Sequence, residues 1–152
     1  MIPHSGRYHV GRDAIATDRA PAAIGPYSQA IRAGDLIFTA GQLGLDPATK
    51  QLAGPDIESQ ARQALENLRA ILEEAGSCLE HVVKTTVYCV DLGEFARLNA
   101  VYGTFFGEEP PARSTVQVAA LPAGGRVEIE AIAVACDCGC ECDEEGCGCS
   151  CS

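Results

Sequence analysis

Two short stretches place polar residues where a strand pattern favours apolar ones: PARST, residues 111–115, and VEIE, residues 127–130. Arg113 presents a planar fork of N–H donors that matches a carboxylate through two parallel hydrogen bonds, as holding a small keto or imino acid requires. Glu128 and Glu130 share a face, because side chains repeat every two residues along a strand. On a solvated face two glutamates need no explanation. On a buried one a carboxylate without a partner is costly, so it must be paired or at work. Residue types alone leave Arg113 with two readings: a binder of substrate carboxylate, or one end of an internal ion pair with one of these glutamates.

A third stretch, ACDCGCECDEEGCGCSCS, fills residues 135–152 and holds seven of the nine cysteines. Cys136, Cys138, Cys140 and Cys142 alternate with single residues, and Cys147, Cys149 and Cys151 repeat the pattern. Such spacing lets neighbouring thiolates reach one soft cation such as Zn²⁺ or Cu⁺. The competing states are a reduced tail without a ligand, and disulfides if the chain meets an oxidising setting. The run lacks the C-x₂-C framework of ordinary zinc folds, which argues against a fixed structure. Cys78 and Cys89 read as small buried hydrophobes rather than reactive thiols. His4 and His9 read as solvated side chains of a polar opening segment rather than as ligands.

The elements that must position these residues follow from periodicity. Residues 1–19 show neither helical nor strand period and read as an N-terminal arm. Apolar runs at 30–32 and 36–39, separated by Ala33-Gly34-Asp35, signal a hairpin, and DPATKQLAGPD, residues 46–56, is a cluster of turn formers. Ile57, Ala61, Ala64, Leu65, Leu68, Ile71, Leu72 and Ala75 recur at helical spacing, with Asp56 suited to cap the start and Gly76 the end. Residues 82–90, VVKTTVYCV, read as a largely buried strand. Leu92, Phe95, Leu98, Val101, Tyr102, Phe105 and Phe106 mark a second amphipathic helix. Strands at 114–119 and 126–135 close the body. This order predicts an α+β fold, a sheet with two helices packed on one face. The last strand is apolar on both sides, so the other face calls for a cover, and a partner subunit is the natural one.

A chain of 152 residues fits one domain, here 20–135 between the arm and an acidic tail at 136–152. The formal net charge is −10; the tail supplies five acidic residues and no basic one, leaving −5 elsewhere. Without a Lys/Arg cluster, little is gained from counterion release on a phosphate backbone, which disfavours nucleic acid and anionic membrane as partners. No leader-like opening and no long apolar run is present, so the expected location is cytoplasmic.

Several stretches resemble, in order and spacing, the Rid family of reactive intermediate imine/enamine deaminases, also called YjgF-like: APAAIGPYSQAI, LIFTAGQLGLDP, ALENLRAILEEAG, VVKTTVYCVDLGEFARLNAVYGTFF, PPARSTV and LPAGGRVEIEAIAV. The likeness spans about residues 15–134 and covers neither arm nor tail. It implies a chorismate-mutase-like α+β fold with a mixed β-sheet, assembled as a homotrimer with clefts between subunits. It also implies hydrolysis of 2-imino acids such as 2-iminobutanoate and 2-iminopropanoate to 2-keto acids and ammonia, with no metal or organic cofactor. By the same resemblance Arg113 binds the substrate carboxylate, and Glu128, in a cleft near it, positions or activates the attacking water. Tyr27, Gly41 and Asn99 line the pocket. Thr115 stands where many deaminating members carry Cys, which excludes thiol chemistry there and bears on substrate range. Some relatives are proposed to be non-enzymatic ligand- or stress-binding trimers, and that alternative stays open here.

Overall fold

A computed structural model describes residues 11–136. Two helices lie on one face of a mixed sheet, as the periodicity predicts. The strands are β1 (Arg12–Ile15), β2 (Ala30–Ala33), β3 (Leu36–Thr39), β4 (Gln42–Leu43), β5 (Val82–Cys89), β6 (Ala112–Gln117) and β7 (Val127–Val134); the helices are α1 (Ile57–Glu74) and α2 (Phe95–Phe106). The sheet runs β1-β2-β3-β7-β5-β6, with β4 also paired to β7. All pairings are antiparallel except β5 with β6, whose parallel partnership needs the crossover that α2 supplies.

α1 starts and stops where the local chemistry allows. The Asp56 carboxylate accepts from Ser59 N–H at 2.9 Å, satisfying a first-turn amide. At the other end Gly76 adopts φ +83°, a left-handed turn open to glycine, and Ser77 N–H returns to Leu72 O at 2.8 Å. Between them Leu65, Leu68, Ile71 and Leu72 are wholly buried, each contributing about 1.5–3 kcal/mol of burial. They pack with Val127, Ile129, Ala131 and Ala133, the inward set of β7.

Polar residues of α1 hold the strands around Glu128. Asn67, fully buried, donates to Leu43 O and Leu45 O at 3.2 and 2.9 Å, fixing β4. Gln60 accepts from Arg126 N–H and donates to Gly54 O, both at 2.8 Å. Arg126 also pairs with Glu94 at the head of α2. The approach to β7 is therefore tied to both helices.

The segment read as an arm is ordered in part. Arg12–Ile15 pairs antiparallel with β2 as an edge strand. A four-residue strand with mostly exposed side chains has no apolar alternation to reveal it. Buried Gln29 secures the chain between β1 and β2, accepting from Thr17 N–H at 2.6 Å and donating to Pro21 O at 2.8 Å.

The sheet face away from the helices carries Leu36, Phe38, Ile132 and Val134 beside Lys84, Thr86, Tyr88, Glu128 and Glu130. Phe38 is 41% exposed and Leu36 40%. Nothing among the described residues covers this face.

Candidate active site

Arg113 sits near the start of the edge strand β6. Its register partner on β5 is Thr85, and Thr115 aligns with Val87. Thr85 and Val87 belong to the buried, helix-facing set of β5, so Arg113 and Thr115 project toward α2. The Arg113 Cζ lies 4.6 Å from the Tyr102 ring centroid and 5.4 Å from that of Phe95. The Tyr102 hydroxyl is 2.6 Å from Thr85 Oγ1. Burial pushes the Tyr102 phenol up, against the opposing pull of the Thr85 hydrogen bond and the Arg113 charge. No carboxylate among the described residues pairs with the Arg113 guanidinium.

Asn99 lies between Phe95 and Tyr102 in α2 at the spacing that shares one helix face. Asn99 Oδ1 and Thr115 Oγ1 are buried without a hydrogen-bond partner among the described residues. A buried polar atom left unpaired costs about 1–3 kcal/mol. Two of them beside an unpaired guanidinium, on facing elements, mark a place where ligand atoms would complete the bonding.

Glu128 belongs to a second half. It aligns with Tyr88 on β5 and Leu43 on β4. Tyr88 is an odd number of residues from Thr85, so Glu128 and Tyr88 point away from the helices. The Tyr88 hydroxyl donates to Glu130 Oε1 at 3.0 Å, whereas no group among the described residues donates to Glu128. Burial pushes the Glu128 carboxyl up, and the Glu130 charge adds to it. Gly41 lies directly against this side chain: a Cβ there would stand 2.8 Å from Glu128 Cδ and 2.9 Å from Cγ, closer than real contacts allow. Any larger residue at 41 would have to displace the Glu128 side chain. Tyr27, 51% exposed, accepts from Ile24 N–H at 3.3 Å within its own loop.

The structure thus sorts the sequence candidates into Arg113, Asn99 and Thr115 on the helix side, and Glu128 with Gly41 on the open side. Within one chain Glu128 and Arg113 lie on opposite sides of the sheet and share no cleft; the cleft that the resemblance implies is one between subunits. The internal ion pair fails for the same reason, because strand parity sends the two charges to opposite faces. Recesses on the described surface include one of ≈ 560 Å³, lined by residues such as Leu45, Lys50 and Pro55, and one of ≈ 160 Å³, lined by residues such as Phe38, Lys84 and Glu130. Neither of these two is lined by Arg113 or Glu128. Spacing marks Phe95 and Tyr102 only as the apolar face of a helix, and Tyr88 only as part of a buried strand, since aromatic residues at helical or strand period read first as core.

Cys89 is buried and its thiol is pushed up by that burial, and Cys78 is buried as well. Cys136 N–H donates to Gly76 O at 2.8 Å. The other tail cysteines, with His4 and His9, lie outside the described residues. Among the described residues no group of three or more His, Cys, Asp or Glu is placed to hold a metal, and no helix is long and apolar enough to cross a membrane.

Comparison with known proteins gives a consistent set of similarities. A family model described as Endoribonuclease L-PSP matches residues 17–135. The 2-iminobutanoate/2-iminopropanoate deaminase of Mus musculus is 52% identical over 121 residues, covering 80% of this chain and 90% of its own. The crystal structure of RidA from a Psychrobacter species is 50% identical with a TM-score of 0.78, covering 81% of this chain and 99% of that one. E. coli TdcF, solved with bound serine, is 44% identical with a TM-score of 0.78, covering 82% of this chain and 99% of that one.

Proposed function

The chain belongs to the Endoribonuclease L-PSP family, and from that premise we propose that it hydrolyses short 2-imino acids, 2-iminobutanoate and 2-iminopropanoate, to 2-keto acids and ammonia. The observation that carries this reading is a cation and a carboxylate, Arg113 and Glu128, both kept partly buried and both without a charge partner among the described residues. A structural role would have paired them. The mouse deaminase, half identical over most of the chain, supports the substrate class.

In this mechanism the Arg113 fork binds the substrate carboxylate. Glu128 takes a proton from water as the water oxygen bonds to C2 and the C=N π pair moves to nitrogen, which takes a proton from solvent to give a tetrahedral carbinolamine. The proton held by Glu128 passes to nitrogen, the C–N bond breaks so that ammonia leaves, and the hydroxyl releases its proton to solvent as the keto group forms. The imine carbon is already electrophilic, and the site's contribution is orientation and proton transfer. Asn99, Thr115, Tyr27 and the backbone at Gly41 complete the pocket. No cofactor enters any step. The ribonuclease activity in the family's description is not adopted, because the chain is strongly acidic with no basic cluster.

Because the halves lie on opposite faces, one subunit's Arg113 meets another's Glu128 through two different surfaces. Such a heterologous contact closes into a ring, and the homotrimer is the ring we propose. A non-catalytic ligand-binding ring would use Arg113 but has no need of a half-buried, unpaired Glu128.

Subunit mixing tests both the activity and the split site. Arg113→Ala and Glu128→Gln chains, each nearly inactive alone, are unfolded together and refolded, and imine loss is followed by semicarbazide trapping. Random assembly gives about a quarter of the sites one intact Arg113 and one intact Glu128, so activity returns to about that fraction. Mixed oligomers verified by native mass spectrometry yet still inactive would count against the shared site. A wild type that leaves trapping unchanged would remove the enzyme reading.

The tail supports a second, separable property. Seven alternately spaced cysteines in residues 136–151 form a soft-metal ligand set, with Zn²⁺ or Cu⁺ as the cation. Native mass spectrometry of protein purified without chelators is expected to show metal on the full chain and not on one ending at Ala135. Equal content in both would remove the property.

A further inference from the structure

Arg113 is flexible by nature, yet a carboxylate-binding fork works only if its plane is fixed. Elsewhere on this protein guanidinium groups are held by acids: Arg97 by Glu58 at 2.5 and 2.8 Å, Arg19 by Glu73 at 2.8 Å. An acid beside Arg113 would compete with an anionic substrate. The structure uses aromatic rings instead. Phe95 and Tyr102 stand seven residues apart on α2, about 10 Å along the axis at 1.5 Å per residue. A Cζ that is 5.4 Å from one centroid and 4.6 Å from the other lies over both rings at once, as a group bridging that spacing does.

We propose that Phe95 and Tyr102 are positioning residues that hold the Arg113 guanidinium between their rings, leaving its N–H edges free for the carboxylate of the substrate. The proposal rests on the reading of Arg113 as the carboxylate binder. Ring faces attract the cation through their quadrupole without occupying its donors. The slot is itself fixed: Tyr102 is 5% exposed, its hydroxyl bonds Thr85 Oγ1, and Thr85 is the register partner of Arg113. Tyr102 also packs on Phe106, centroid to centroid 4.6 Å. Strand, helix and arginine are thereby locked in one relation. Phe95, 39% exposed, closes the slot on the solvent side, which accounts for a large apolar residue left out of the core.

The test separates ring from fold. Tyr102→Leu is expected to raise KM for 2-iminopropanoate about tenfold, the effect of losing a desolvated cation–π contact, while kcat changes far less. Tyr102→Phe, which keeps the ring, recovers most of that loss. Phe95→Leu raises KM roughly threefold and carries the test alone if Tyr102→Leu fails to assemble. Guanidinium ion supplied to Arg113→Ala is expected to restore part of the activity, and to restore none in Arg113→Ala/Tyr102→Leu. Wild-type KM in a folded Tyr102→Leu or Phe95→Leu, or equal guanidinium rescue in both backgrounds, overturns the clamp. If Arg113→Ala itself keeps wild-type KM, the carboxylate-binding assignment fails and the clamp falls with it, an outcome distinct from clamp variants that alone are silent.

Discussion

Arg113→Ala is expected to lower kcat/KM for 2-imino acid hydrolysis by roughly 100- to 10,000-fold. Two parallel charge-assisted hydrogen bonds to the substrate carboxylate, at about 1.5–3 kcal/mol each, set the scale. Because the carboxylate is bound in both ground and transition states, most of the loss falls on KM. The fold should scarcely notice. Arg113 makes no ion pair among the described residues, and its contacts are the faces of Phe95 and Tyr102. A small change in Tm alongside a large change in KM is the expected pair of results. Arg113→Lys does not rescue, since an ammonium can neither form the fork nor fill a slot shaped for a planar group. Imine trapping over a range of dehydratase-generated substrate measures this, and a variant with wild-type kcat/KM would sink the assignment.

The elements that carry these residues were legible because burial imposes period. The α1 stripe, its Asp56 and Gly76 ends, and the strand at residues 127–134 follow from alternation or helical spacing that only a core requires. β1 was not legible, because an edge strand with exposed side chains owes its pairing to backbone bonds, which leave no mark on side-chain type. The site divided along the same line. That Glu128 and Glu130 share a face follows from parity within one strand. Whether Arg113 joins them depends on the register of β6 against β5 and of β5 against β7, which local sequence does not encode. The parallel crossover through α2 sets it, and sends Arg113 to the helix side.

That division gives Gly41 and the open face a meaning that spacing could not. Gly41 is placed at the pocket by the resemblance alone, and the structure adds that its missing Cβ leaves room for the Glu128 side chain. The exposed Leu36 and Phe38 flank the same face, as a surface awaiting another copy would. On the proposed function, a subunit alone carries the binding half, Arg113, on its helix side and the proton-transfer half, Glu128, on the other.

Glu128→Gln is expected to reduce kcat by about 100- to 10,000-fold, the range for loss of a positioned general base, while making the protein more stable at neutral pH. The gain in stability comes from the environment of the carboxylate. Burial, then the Glu130 charge, raises the folded-state pKa of Glu128 above its ordinary value. The folded state therefore holds this proton more tightly than the unfolded chain does. Within its own chain, Glu128 ionised above that raised value is held against this preference and destabilises the fold; as pH falls through the raised value the proton is taken up and the lost stability returns. Glutamine removes the penalty, so Tm rises at neutral pH, and the gap from wild type narrows as pH falls through the raised value and is closed below about pH 4, where the unfolded chain is protonated too. The same shift governs activity. The base must be ionised, so the acid limb of wild-type kcat/KM lies above the ordinary glutamate range, and Glu130→Gln moves it lower by removing the second cause. Thermal denaturation across pH and the pH profile of imine hydrolysis check both arms. A Glu128→Gln variant that is less stable at neutral pH, or that keeps its kcat, contradicts a carboxylate held under strain for catalysis.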